Sequence, residues 1–215
     1  MMGINFHHNE NRNAYTTREA DISWRQTMRD LVQFENISNA LDVGCGGGIY
    51  SKALADMGVA SVTGVDFSEA ILEGARENCK EYKNITFKYG NALDTGLDSN
   101  SFNLLLERAL IHHIEDLHSC FKEAYRILET NGIYIVQDRT PEDCLFEGNN
   151  GHIRGYFFEL FPRLIEKETN RRHDSSLVIE KLKEVGFKEV EEVKLWETRK
   201  VYKNKEHLLK DISNR

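Results

Sequence analysis

The chain is predicted to fold as a doubly wound α/β domain: a seven-stranded, mostly parallel sheet with helices on both faces and an antiparallel last strand. Three observations lead there. Short β-branched or leucine-rich runs alternate with stretches of helical period, the rhythm of parallel strands joined by right-handed crossovers. Leu104, Leu105 and Leu106 stand in a row, which suits a strand covered on both faces. Near the C-terminus two apolar runs follow each other too closely for a crossover, so they can only be antiparallel neighbours.

The elements follow in order. Residues 1–13 form a loose polar leader. Between Thr17, a suitable N-cap, and Glu35, the residues Trp24, Met28, Leu31 and Val32 fall on one helical face. Asn39–Gly44 reads as a short buried strand, and Ile49–Met57 as a helix with Ala53 and Leu54 inward and Gly58 closing it. Ala60–Val65 is a β-branched strand, after which Ser68 caps a helix running to Tyr82. Ile85–Tyr89 and Phe102–Glu107 are the next two strands. Asp116–Glu129 is a helix with Leu117, Phe121, Ala124 and Leu128 as its stripe, stopped by Asn131-Gly132 before the strand Ile133–Gln137. The rhythm then breaks at an insert, Arg139–His173, carrying Phe146, Tyr156, Phe157, Phe158 and Phe161, whose second part reads as helical. Loops of that length are functional or disordered as a rule, and the aromatics argue against disorder. Ser175–Val185 is a helix ended by Gly186, Phe187–Val193 and Glu197–Tyr202 are the last two strands, and Lys205–Arg215 is a charged helix.

A length of 215 residues suits one domain with an appendage, and it buries a full core without staples. The division expected is an N-terminal helical region, 1–36, and a larger unit, 37–215, holding the insert at 139–173. Lys and Arg total 28 against 35 Asp and Glu, a balance of −7. That lacks the basic excess that favours nucleic acid, and it is a poor match for an anionic membrane surface. No apolar run approaches the ~20 residues of a membrane span, and the polar N-terminus has no signal-peptide core. Cys45, Cys79, Cys120 and Cys144 form no CxxC pair, which argues against a zinc knuckle and fits a reducing, cytoplasmic setting.

The chemistry concentrates at the first strand-to-helix junction, ALDVGCGGG (40–48). In open α/β sheets ligands bind outside the carboxyl ends of the strands, where glycines let the chain turn and let a ligand approach the backbone. A dinucleotide fingerprint needs G-x-G-x-x-G; Gly44 and Gly46 fit, but Ile49 stands in the third position. Asp42, just before the first glycine, would oppose a pyrophosphate if it faced the ligand, and it suits a ligand carrying an ammonium or sulfonium. Asp66 follows Gly44 by 22 residues, where a carboxylate can take both hydroxyls of a ribose. Asn91, after the third strand, can accept from an adenine amino group. The alternatives are structural: glycines also satisfy a tight turn, and Asn91 is also an ordinary turn residue.

Together LDVGCGGG (41–48), VTGVDFS (62–68), GNALD (90–94), FNLLLERALIHHI (102–114) and EAYRILETNGIYIV (123–136) resemble the small-molecule branch of the class I S-adenosylmethionine-dependent methyltransferases. The resemblance covers residues 37–137, with a looser match in the last strand pair. It implies a Rossmann-like fold, S-adenosylmethionine as cofactor, and cofactor contacts at Asp42, Gly44, Cys45, Gly46, Asp66, Phe67, Ser68, Asn91, Ala92 and Arg108. YTTREADISW (15–24) is similar to the lid helix of this branch. That implies closure of Tyr15 and Arg18 over the methionine end, with 1–36 as the lid and 139–173 as a substrate cap. Asn91 and Asn103 stand where the family often has Asp. The first leaves adenine an uncharged acceptor, and the second starts a strand, with little effect expected on the cofactor.

Transfer from a sulfonium methyl needs alignment and exclusion of water, and a base only where the nucleophile is held protonated. On that ground His112 and His113, after the fourth strand, are the candidate catalytic residues, with support of the loop as the other reading. His118 adds no metal-ligand spacing, so no metal is expected. Arg163, Lys167, Arg171 and Arg172 read as a solvated helix face rather than an anion site. The expected acceptor is a small molecule between residues 108–114 and the insert, bound by a monomer or homodimer; oxygen, nitrogen and carbon nucleophiles all fit. The acidic balance opposes an RNA methyltransferase. The lack of an Asn/Asp-Pro-Pro-Tyr tetrapeptide opposes the amino-methylating DNA or protein class. A substrate-sized insert argues against a non-catalytic cofactor sensor or partner subunit. Ile49 and Asp42 argue against a nicotinamide-dependent oxidoreductase.

Overall fold

The computed structural model describes residues 19–198 and 201–213. The expected cap Thr17 therefore lies outside the described residues. Helix α1, Ile22–Leu31, is capped by Asp21, whose carboxylate accepts the Ser23 N–H at 2.8 Å. Trp24 and Met28 face inward as expected, whereas Leu31 is 45% exposed. The backbone turns extended at Val32, so Val32 and Phe34 fill the space against the core that Leu31 would have taken.

Five strands form one parallel sheet: β1 Asn39–Val43, β2 Ser61–Asp66, β3 Ile85–Tyr89, β4 Phe102–Arg108 and β5 Leu128–Gln137, in the order β3-β2-β1-β4-β5. Helices α2 (Ile49–Asp56), α3 (Glu69–Asn78) and α4 (Leu117–Ile127) make the crossovers. The order reverses between β1 and β4, which opens a crevice at their carboxyl ends. The consecutive leucines of β4 are each 0% exposed, so both sheet faces are covered. Leu104 and Leu106 pack with Trp24 and Leu54 on one side, and Leu105 packs with Phe121 and Ile127 on the other. Full burial of such a side chain contributes roughly 1.5–3 kcal/mol, so β4 helps tie the two helical layers together.

Helix α4 begins at its predicted cap, Asp116, but stops at Ile127. Leu128 already pairs with Phe102; the chain then loops through Asn131 (φ 66°) and re-enters the ladder with Ile133 opposite Leu104. The insert forms α5 (Pro141–Cys144), α6 (Ile153–Leu160) and α7 (Arg163–Thr169). Helix α8, Ser175–Val185, packs on α4 and ends at Gly186 (φ 126°), and α9 spans Lys205–Ser213.

The sheet has five strands where seven were expected, and all are parallel. Among the described residues, neither 187–193 nor 197–202 forms a strand, so no antiparallel pair is present. The side chains explain the first absence. Phe187 and Val190 turn into the core three residues apart, a spacing that a strand of period two cannot supply, and Val193 is half-exposed. Among the described residues, no helix is long and apolar enough to cross a membrane.

Candidate active site

The carboxyl ends of β1, β2 and β4 meet at the glycine turn. Gly44, Gly46 and Gly48 have φ of 71°, 52° and 76°, a region that disfavours any Cβ. Their surroundings differ. A Cβ on Gly44 would stand 2.9 Å from Leu110 Cδ1 and one on Gly48 2.8 Å from Cys79 Sγ, whereas one on Gly46 would meet nothing within 4 Å. Gly46 is therefore the point of this turn where a ligand can reach the backbone. Its N–H donates to Asp66 Oδ2 at 3.0 Å, and the Ser68 N–H donates to Asp66 Oδ1 at 3.0 Å. The two bonds fix the carboxylate beside that opening. Ser68 itself is fully buried and caps α3.

Two expected cofactor contacts make bonds within the protein. Asp42 is 2% exposed and accepts the Ser51 hydroxyl at 2.6 Å, so its side chain ties β1 to α2 instead of facing a ligand. Burial above all pushes its carboxyl up to about 6, with Asp66 adding to the rise. Asn91 is exposed, but its side-chain oxygen accepts the Leu93 N–H at 2.9 Å, the bond of an ordinary turn. Cys45 and Ala92 are buried beside the turn and beyond β3, and burial raises the Cys45 thiol, which makes it a poor nucleophile. Phe67 is 43% exposed at the end of β2. Tyr15 and Arg18 lie outside the described residues.

Arg108 ends β4. Its guanidinium sits 4.1 Å above the Tyr50 ring and pairs with Glu197 at 2.6 Å, with both side chains only 13% exposed. Tyr50 also donates to Glu197 at 3.2 Å and packs edge-on against Trp24, whose indole N–H donates to Gln137 at 2.8 Å. Residue 197 thus reaches the site from a segment read as a strand, and no sequence signal pointed to it.

The two candidate histidines separate. His112 Nδ1 lies 2.7 Å from Asp138 Oδ2, and its backbone N–H donates to the same oxygen at 3.2 Å. His113 stacks against it at 4.0 Å; burial first, then His112 and Arg171, bring its imidazole down to about 4. Asp138 also accepts from Arg172 Nη1 at 2.5 Å, and Arg172 Nη2 donates to Glu168 at 2.9 Å. Arg172 is therefore not on a solvated face as expected: its side chain is 5% exposed because it bridges two acids. Asp138, missed in the sequence, had one signal: an acid directly after a parallel strand, where ligand sites form. His118 stands apart, 3.9 Å from Glu184.

Arg108, His112 and Asp138 also line an open cavity of about 1550 Å³ that follows β5 between the insert and residues 186–197. Gly44–Gly48 are not in its wall, so the loop 108–112 stands between the glycine turn and this second compartment. Phe146, His152 and Trp196 cluster at its side, with Phe146 and Trp196 each 55% exposed. Of the aromatic run in the insert only Phe158 is buried, so that run is not simply an internal core.

Residues 41–136 match the family model described as a methyltransferase domain. The chain is 31% identical over 127 residues to a demethylmenaquinone methyltransferase of Staphylococcus epidermidis, covering 58% of this chain and 53% of that protein. It is likewise 31% identical over 124 residues to one of Listeria welshimeri, covering 56% and 52%. It thus spans about half the length of the curated relatives it matches. Among solved structures, it resembles a Methanococcus maripaludis protein assigned as an S-adenosylmethionine-dependent methyltransferase (TM-score 0.66, 19% identity, 92% of this chain and 91% of that one). It also resembles Haemonchus contortus phosphoethanolamine N-methyltransferase 2, solved with S-adenosylmethionine (TM-score 0.58, 22% identity, 78% and 38%). Residues 41–136, which hold the glycine turn and the ends of β1, β2 and β4, therefore match a methyltransferase-domain model, in a fold shared with the solved structures named above.

Proposed function

We propose that this chain transfers the methyl group of S-adenosylmethionine to a small-molecule acceptor. The observation that carries the reading is the open space over Gly46 beside the anchored Asp66 carboxylate. Backbone from Gly44 to Gly46 holds the methionine end, Asp66 takes the ribose hydroxyls, and Phe67 with Asn91 and Ala92 frames the adenine. Arg108, fixed by Tyr50 and Glu197, stands at the boundary with the acceptor cavity. When bound, the cofactor supplies an electrophilic methyl on a sulfonium with a neutral thioether as leaving group. The residues around it have to align the nucleophile and keep water out.

A cavity of about 1550 Å³ with exposed aromatics supports a small organic acceptor, and the net charge of −7 argues against nucleic acid. The four free cysteines fit the cytoplasm. The test is calorimetry with S-adenosylmethionine, S-adenosylhomocysteine, NAD and NADP. Micromolar binding of the first two alone is expected; preferential NAD binding, or no binding of any of the four, refutes the reading.

A further inference from the structure

Helix α6 turns its apolar side outward. Ile153, Tyr156, Phe157, Leu160 and Phe161 recur at the spacing of one helical face, and their exposure runs from 43% at Tyr156 to 73% at Leu160. A surface helix ordinarily points such a stripe at the core. The opposite side of α6 shows what holds it this way round. Gly155 lies against the preceding loop, where a Cβ would collide with the backbone of Glu147 and Gly148, and Phe158 is buried. Glu159 accepts the Gly148 N–H at 3.3 Å. Arg154 pairs with Glu168 of α7 at 2.5 Å, and its guanidinium lies 5.8 Å from the centre of the Phe158 ring. Residues 154, 155, 158 and 159 thus bind the helix to the insert, and the five apolar side chains are left facing out among the described residues.

The rim of this face is basic. Directly after Phe161 and Pro162, α7 begins with Arg163, and Lys167 stands one turn on; both are exposed and make no ion pair among the described residues. From Ile153 to Arg172 there are five Lys or Arg against three Glu. Two of those acids, Glu159 and Glu168, are engaged within the insert. The whole-chain balance of −7 opposes an anionic surface, but exposed charges more than about 8 Å apart are screened at physiological salt, so the local sign decides. Area separates the candidate partners. Five side chains of this kind, half exposed, present roughly 500 Å², short of the ~800 Å² per partner in a stable protein pair. A bilayer sets no such threshold: apolar side chains enter the boundary between headgroups and acyl chains while cations meet anionic headgroups.

We infer that α6 docks on a phospholipid bilayer carrying anionic headgroups, with Ile153, Tyr156, Phe157, Leu160 and Phe161 in the interface and Arg163 and Lys167 on the headgroups. At 8 residues the helix is about 12 Å long, so it lies in the plane of the surface and does not cross it. Gly151, His152 and Arg154 of the cavity wall adjoin its first turn, so docking brings that end of the cavity to the lipid. The docking does not depend on the methyl-transfer reading.

Co-sedimentation of the full chain with vesicles tests it, using phosphatidylcholine alone and an equal mixture of phosphatidylcholine and phosphatidylglycerol. The native chain should bind the mixed vesicles, bind the neutral ones about tenfold less, and release the mixed ones as salt is added. Phe157→Ser with Leu160→Ser, and separately Arg163→Glu with Lys167→Glu, should each weaken binding by about tenfold or more. The charge-reversal pair alters only exposed side chains and should keep the native unfolding midpoint in urea. Ile22→Ser, at an apolar position of α1 that is 83% exposed, should bind as the native chain does. Equal binding to both kinds of vesicle, native binding in either double variant, or a matching loss in Ile22→Ser overturns the proposal. So does a monomer that ignores vesicles, the result expected if residues 1–18 of the same chain cover the stripe. A dimer in sedimentation equilibrium that Leu160→Ser dissociates overturns it too, and assigns the face to a second copy.

Discussion

Gly46→Ala separates backbone conformation from ligand approach. Gly46 has φ 52° and open space where a Cβ would stand, so alanine costs only left-handed strain there, about 1–2 kcal/mol. Gly58 is a control of the same kind: φ 103°, open space, at the far end of α2. Gly48 is the opposite case. At φ 76° its Cβ would also press on Cys79 Sγ at 2.8 Å and Phe87 Cζ at 2.9 Å, adding an overpacking cost of about 1–3 kcal/mol. Urea unfolding followed by tryptophan fluorescence should therefore rank Gly46→Ala with Gly58→Ala, and Gly48→Ala well below both. Calorimetry should then break the tie. The new methyl group occupies the opening, so Gly46→Ala should lose at least tenfold in affinity for S-adenosylmethionine, about 1.4 kcal/mol, while Gly58→Ala loses nothing. Native affinity in Gly46→Ala would refute the placement of the cofactor over this turn. Equal stability of Gly46→Ala and Gly48→Ala would refute the packing argument.

Asp66→Ala should weaken S-adenosylmethionine binding by an order of magnitude or more, since it removes the charged acceptor proposed for the ribose; unchanged affinity in calorimetry rejects that role. Glu123 is held at about 2, below its ordinary 4.5, because hydrogen bonds from Arg126 and Thr95 outweigh its burial. A depressed carboxylate stabilises above its unfolded value, so native stability should fall by roughly 3 kcal/mol as pH drops from 4.5 towards 2. Glu123→Gln should flatten that limb, and an unaltered acid limb in urea titrations would exclude the mechanism. Asp42 has the opposite sign: raised to about 6 from 3.8, it costs the fold stability progressively as pH rises from 3.8 to 6, with the full cost above that. Asp42→Asn, whose side-chain oxygen can still accept from Ser51, should be more stable than native at pH 8 and no more stable at pH 3.5; a uniform change at both would contradict it.

Local pattern was enough for much of this protein. The alternation of strand and helix periods, the three leucines of β4 and the caps at Ser68 and Asp116 are properties of adjacent residues, and the structure follows them. The same holds for Gly186, placed one residue past α8 with φ 126°. The glycine turn and Asp66 were legible too, because chain connectivity alone brings the first two strand ends of such a sheet side by side.

Tertiary structure decided the rest, through contacts between residues far apart in the chain. Apolar character at Phe187–Val193 says that the segment is partly buried, but only the packed core shows Phe187 and Val190 turning inward three apart, which denies the sheet its expected strand. Asp42 has the residue type of a ligand contact, and only the position of Ser51 shows that it points into the protein. His112 and His113 are neighbours of one type in sequence. Folding brings Asp138, 26 residues on, to the first and leaves the second with its imidazole pushed down to about 4. Arg108 finds Glu197 across 89 residues, and Arg172 finds Asp138 across 34. Hydrophobic period and turn chemistry act over a few residues and are written locally. Partner choice among charged side chains is set by where the chain returns in space, and no spacing rule in the sequence encodes it.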